Sequence, residues 1–269
     1  MKKKLDGRKF GKMKYMGSKN KLSKDIAPII QSYITSNIKG YYEPFVGGCN
    51  MIDKIKHDKR FGSDNHKYLI ALLQNLDKLE LLDSGFITKE HYSEVRTCYN
   101  NGLSTFEDWY IGAIWFLASY NGRFFDGGYA GIVKTKINTE RNYYKEALDN
   151  LIEQRNSLNG IIFKYLDYKE SNNISNFVIY CDPPYKDTKQ YSTSKGFNYD
   201  EYYDWCRKMA KHNIVLCSEY WMPDDFECIW SKGVQTTMNN NRIQDDSKYN
   251  RVEKLFKYGA WQIRNSVVS

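Results

Sequence analysis

Apolar residues recur along this chain in helical and in strand-like rhythms by turns. Within residues 15–36 they fall at Leu22, Ile26, Ile29, Ile30 and Tyr33, the spacing of one helix face, and Ser18 is placed to cap it. Tyr41 to Val46 reads as a short strand ending in the turn Gly47-Gly48, followed by a helix from about Asn50 to His57. Arg60 to Asn65 reads as a second strand that ends at an acid, Asp64. Strand, glycine turn, helix, strand and acid make the first half of a doubly wound α/β nucleotide-binding fold.

Residues 66–118 read as helical, around Tyr68–Leu73 and again from Glu107 to Ala118. Asn121 to Lys136 follows, with Asp126-Gly127-Gly128 between aromatic and β-branched stretches, and predicts a hairpin or glycine-rich loop. Residues 140–158 are helical again, so 66–160 reads as an insertion with helices of its own. The α/β rhythm then resumes. Ile161–Phe163 and the buried run Phe177–Cys181 are strands, and the second is stopped by Asp182-Pro183-Pro184-Tyr185. A polar loop, 186–198, leads into a helix over 199–211 and a buried strand over 214–217. Residues 226–238 and 252–258 are placed to form antiparallel strands that close the sheet.

Composition narrows the classes. Hydrophobic residues make up 41% of 269 and charged residues 27%, the balance of a soluble globular protein. The longest strongly apolar run, Ile111–Ala118, is too short to cross a bilayer, and no apolar leader follows the basic start. The expected compartment is the cytoplasm, with no membrane partner. The net charge of +8 is concentrated: residues 1–14 hold seven Lys or Arg against Asp6, leaving 33 basic and 31 acidic residues elsewhere. Such a tail suits either a polyanion or solvent. Six cysteines without C-x-x-C, and four histidines without a cluster, predict a reduced protein with no metal site.

The sharpest chemistry lies at Asp182-Pro183-Pro184-Tyr185. Two prolines fix the backbone and donate no N–H. An acid, two rigid carbonyls and an aromatic ring after a buried strand suit a planar amine, with acceptors for its hydrogens and a ring for its face. The plainer alternative is a proline turn with an incidental acid.

This tetrapeptide resembles the catalytic motif of amino-group DNA methyltransferases, which methylate adenine N6 or cytosine N4. Glu43-Pro44-Phe45-Val46-Gly47-Gly48 resembles their cofactor motif, although Cys49 stands where the family often has a second glycine. Lys14-Tyr15-Met16-Gly17-Ser18-Lys19 resembles the N-terminal motif of the Dam-like, D12-class adenine enzymes. The order of cofactor motif, insertion and catalytic motif is the α arrangement.

The resemblance implies a Rossmann-like, S-adenosylmethionine-dependent methyltransferase sheet. Residues 15–65 and 161–269 would form the catalytic domain, after the tail 1–14, and 66–160 a mainly helical target-recognition domain. It implies that Tyr15 and Lys19 contact the cofactor and border the base pocket. Glu43, Phe45 and Gly47 would wrap its methionine part, Asp64 would bind the ribose hydroxyls and Asp167 would sit at its adenine. Asp182, Pro183, Pro184 and Tyr185 would handle the substrate base, Asp182 also lying next to the cofactor. No metal is required, and the product is S-adenosylhomocysteine. The partner would be double-stranded DNA, bound by a chain that is monomeric in solution and open to assembly on DNA, within or outside a restriction-modification system. Arg123, Lys134 and Lys136, interleaved with Phe124, Phe125 and Tyr129, are the candidate DNA readers, the plainer alternative being a core-packing hairpin with buried aromatics and solvated charges. The stretch after Asn121-Gly122 departs from the Cys-Arg-Tyr-Asn-like sequence of GATC-methylating members. Cytosine-N4 methylation and a non-catalytic nucleic-acid-binding protein of the same fold are the alternatives.

Overall fold

The computed structural model describes residues 15, 17–82, 86–122, 125, 128–134, 138–186, 196–235 and 250–259. In chain order the elements are α1 (Ser23–Ser32), β1 (Gly40–Glu43), β2 (Arg60–Asp64), α2 (Lys67–Gln74), α3 (Lys89–Asn100), α4 (Asp108–Ala118), β3 (Ile132–Lys134), β4 (Glu140–Asn142), α5 (Tyr143–Leu158), β5 (Ile161–Tyr165), β6 (Phe177–Cys181), α6 (Tyr199–Met209), β7 (Ile214–Glu219), β8 (Phe226–Gln235) and β9 (Asn250–Tyr258). Seven strands form one sheet in the order β5-β2-β1-β6-β7-β9-β8, and β3 pairs with β4 apart from it. β1, β6 and β7 run parallel, whereas β9 is antiparallel to β7 and β8. The fold is thus α/β with a doubly wound sheet closed by an antiparallel edge, as the strand pattern predicts.

From β1 the chain builds outward to β2 and β5 on one side, and from β6 to β7 on the other. The strand order reverses between β1 and β6. In open α/β sheets, ligands bind beyond the carboxyl ends of the strands at such a point. β1 ends there at Glu43 and β6 at Cys181, immediately before Asp182.

The described residues divide into two compact units. The first comprises the N-terminal residues to Lys24, Val46–Lys54 and Gly62–Tyr165. Its central helix, α4, is buried almost all round, so its sequence carries no amphipathic stripe. Gly112 lets α2 and α4 approach, since a Cβ there would lie 2.2 Å from the Tyr68 carbonyl oxygen. The second unit comprises Asp25–Phe45, Ile55–Phe61 and the chain from Leu166 on. Its core sets the buried runs of β6 and β7 against Tyr202, Cys206 and Met209 of α6. Asn198 caps α6 by accepting from the Glu201 N–H.

Two expected helices come out differently. The stretch 50–57 holds only a short 3-10 turn, Ile52–Lys54. The Lys54 N–H bonds Met51, and the Lys54 ammonium takes the Asn50 carbonyl that a continuing α-helix would have used. Ser18 caps a 3-10 turn, Lys19–Lys21, and α1 starts only at Ser23. Among the described residues no helix is long and apolar enough to cross a membrane.

Candidate active site

In the first unit the expected cofactor residues gather at the glycine turn. Gly47 has φ 46°, and a Cβ on it would stand 2.9 Å from the Tyr15 ring; one on Gly48 would stand 2.6 Å from Tyr15 Cβ. Bare glycine backbone therefore lies against Tyr15, whose ring stacks on Phe116 of α4 at 5.8 Å. Cys49 takes φ 57°, adopting the left-handed backbone that a glycine would hold without strain. Lys19 is buried at the start of its 3-10 turn.

Asp64 ends β2 with both carboxylate oxygens engaged. Oδ2 accepts the Gly47 N–H and Oδ1 the His66 N–H, each at 3.1 Å. Burial lifts its pKa to about 6, against the lowering effect of those two N–H groups. His66 caps α2: its Nδ1 accepts the Leu69 N–H at 3.2 Å. Burial holds its pKa down at about 4, so the ring is neutral and can act as an acceptor.

In the second unit Glu43 is buried at the end of β1 and accepts the Tyr41 hydroxyl at 2.6 Å. Phe45 packs 5.2 Å from Tyr168. Asp167 caps the turn Tyr168–Glu170 through the Lys169 N–H. The Tyr168 hydroxyl is buried with no hydrogen-bond partner among the described residues.

The tetrapeptide leaves β6 at the strand-order reversal. Its two proline carbonyls are not equivalent, because Pro184's accepts the Tyr199 hydroxyl at 3.0 Å. Tyr185 is buried; its hydroxyl donates to Glu253 Oε2 at 2.9 Å and its ring meets Tyr220 edge-on at 4.7 Å. Burial first, then the charges of Asp182 and Glu253, hold its phenol well above the usual range, so it stays protonated.

A profile of the D12 class N6 adenine-specific DNA methyltransferases matches residues 15–211, well over half of the chain. The chain belongs to this family. It is an adenine-specific DNA methyltransferase, and DNA is its substrate. Among solved structures it is similar to the rRNA methyltransferase aviRa from Streptomyces viridochromogenes, at 10% identity over 89% of this chain and 84% of that one, with a TM-score of 0.41. Comparison with curated proteins found no match.

The expected DNA readers of the methyltransferase fare unevenly. Arg123, Phe124 and Lys136 lie outside the described residues. Lys134 is exposed on β3, opposite Glu140 of β4. Phe125 and Tyr129 are not free to wedge into DNA. Phe125 is buried 5.4 Å from Tyr92, and the Tyr129 hydroxyl donates to the Ile87 carbonyl, so both rings serve packing.

Three features of the methyltransferase have no signature in its sequence. Gln154 of α5 is buried and donates to the Gly48 and Cys49 carbonyls at 3.3 and 3.2 Å, tying an insertion helix to the glycine turn. Glu253 holds the Tyr185 hydroxyl from 68 residues away. The buried thiols of Cys181, Cys206 and Cys217 lie within 4.8 Å of one another, although their spacing in the chain shows no motif.

Proposed function

We propose that the methyltransferase moves a methyl group from S-adenosylmethionine to N6 of an adenine turned out of double-stranded DNA, at a specific sequence. The observation that carries this is the placement of Asp182-Pro183-Pro184-Tyr185 beyond β6, where the strand order reverses beside β1. The paired amine lies inside the helix, so the base must leave the stack to react.

S-adenosylmethionine, when bound, supplies an electrophilic methyl group on sulfur. Two features of the residues fit such a ligand: the side-chain-free backbone of Gly47 and Gly48, and the buried Tyr168 hydroxyl with no described partner beside Phe45. Tyr15, Lys19, Phe45 and Gly47 bind the cofactor, and Asp64 offers its remaining lone pairs to the ribose hydroxyls. Glu43 braces the strand end, and Asp167 with Tyr168 receives the cofactor adenine.

Asp182 and the Pro183 carbonyl accept the two amino hydrogens of the substrate adenine. That geometry draws the nitrogen lone pair out of conjugation with the ring. Tyr185 offers its ring to the base. These residues act by positioning and electrostatics, which asks for no nucleophile on the protein. Residues 66–160 form the target-recognition domain, with Lys134 on a phosphate. The enzyme works in the cytoplasm as a monomer before it meets DNA.

Asp182→Ala tests the reading. Methyl transfer to DNA is lost while calorimetric binding of S-adenosylmethionine persists; near-normal turnover would remove Asp182 from the chemistry.

A further inference from the structure

A cleft of 590 Å³ opens next to the tetrapeptide, lined by Lys186, Glu219, Tyr220, Trp221, Arg251, Val252 and Lys254. All of these residues belong to the second unit. Three features set its chemistry. First, it is cationic. Lys186 and Arg251 are exposed, Lys254 is half-buried, and the one acid among the lining residues is sunk in the floor. That acid, Glu219, is buried and accepts the Lys186 and Tyr220 N–H groups at 3.2 and 2.8 Å, so both its oxygens are turned to backbone. Second, it is aromatic. Trp221 is 51% exposed, an unusual state for so large an apolar ring. Third, cations and rings are interleaved: Lys186 sits 5.5 Å from the Trp221 ring and Arg251 5.3 Å from the Tyr220 ring. Cationic groups that track phosphates, alternating with rings on which bases stack, are what a single nucleic-acid strand requires.

The position of the cleft names the strand. Lys186 follows Tyr185 directly, and Tyr220 lines the cleft while touching the Tyr185 ring. We propose that this cleft binds the DNA strand immediately beside the target adenine, with Arg251, Lys186 and Lys254 on its phosphates and Trp221 stacked on a neighbouring base. Turning out one nucleotide bends the backbone on either side of it, and a strand so distorted needs contacts that ordinary duplex does not make. The inference rests on the reading of Asp182 to Tyr185 as the segment that handles the base.

Direct binding measurements test it separately from that reading. The full chain is titrated, in a series of salt concentrations, onto a labelled adenine-containing duplex of mixed sequence and onto an oligo(dA) single strand. Arg251→Ala and Lys186→Ala lower the slope of log affinity against log salt, by about 0.9 on the duplex and about 0.7 on the single strand for each phosphate that is no longer neutralised. Trp221→Ala weakens binding to both by about five- to a hundredfold and leaves the slopes alone. S-adenosylmethionine affinity and the melting temperature stay at wild-type values, which separates a weakened DNA surface from a damaged fold. Wild-type affinity and slope in all three variants overturns the inference while leaving adenine methylation standing. A wild-type enzyme that binds both DNAs in the way described but transfers no methyl group to adenine overturns the functional reading and leaves the cleft a DNA site.

Discussion

Asp64 shows how one half-buried side chain ties pH to two different properties. Its carboxyl is raised from its ordinary 3.8 to about 6 by burial, more than the Gly47 and His66 N–H groups can offset. A raised carboxyl binds protons in the folded state that it would release on unfolding, so this group's contribution to stability is present at low pH and lost as pH rises from about 4 through 6. If Asp64 holds the cofactor ribose, as proposed, cofactor binding runs the other way. The charged carboxylate is the better acceptor for ribose hydroxyls, and it is lost as pH falls through 6. Calorimetric titration with S-adenosylmethionine between pH 5 and pH 8 is expected to show affinity falling on the acid side, and Asp64→Asn to weaken binding and flatten that profile. An unchanged profile in the variant would place the titration elsewhere. At Tyr185 the ring and the hydroxyl separate cleanly. Tyr185→Phe keeps the ring and so keeps methyl transfer, while costing stability because Glu253 loses a donor in a buried place. Tyr185→Ala removes the stacking face and weakens DNA binding by about 1–3 kcal/mol, read as a rise in the KM for DNA.

The elements most legible in the sequence are those whose pattern is local. The runs Phe177–Cys181 and Ile214–Leu216 are uniformly apolar because parallel strands are covered on both faces, and they appear as β6 and β7. Asp182 to Tyr185 stands out because two of the chain's five prolines fall together just after such a run. What escapes a reading of the sequence is held by long-range contacts. Gln154 looks like any polar residue in a helix, yet it carries the carbonyls of a turn more than a hundred residues earlier. The segment 50–57 has helical composition, but a lysine side chain takes the acceptor its helix needs. Phe125 and Tyr129 lie in a stretch rich in basic residues and glycine, and only the packing of α3 shows that they face inward. Gln154→Ala leaves the Gly48 and Cys49 carbonyls without that donor in a buried place. We expect a loss of about 1–3 kcal/mol, seen as a lower urea midpoint with unchanged slope, together with weaker cofactor binding. An unchanged midpoint would mean that the turn holds itself.

At the scale of the whole molecule, the proposed function assigns chemistry and recognition to different stretches of chain. The α/β sheet presents Glu43 and Asp182 at its reversal point, whereas residues 66–160 supply helices and an exposed hairpin. If Lys134 sits on a phosphate, Lys134→Ala weakens binding to all duplexes alike and reduces the salt slope by about 0.9, with the methylated motif unchanged. A change of motif would instead make Lys134 a reader of bases. The family assignment carries a sharper consequence, because adenine N6 and cytosine N4 are both exocyclic amines that the same acceptors could hold. Mass spectrometry of nucleosides from the DNA of cells expressing the chain decides between them. N6-methyladenine that appears with the wild-type chain and disappears with Asp182→Ala is the predicted result; N4-methylcytosine in its place, or no methylated base at all, would contradict the account.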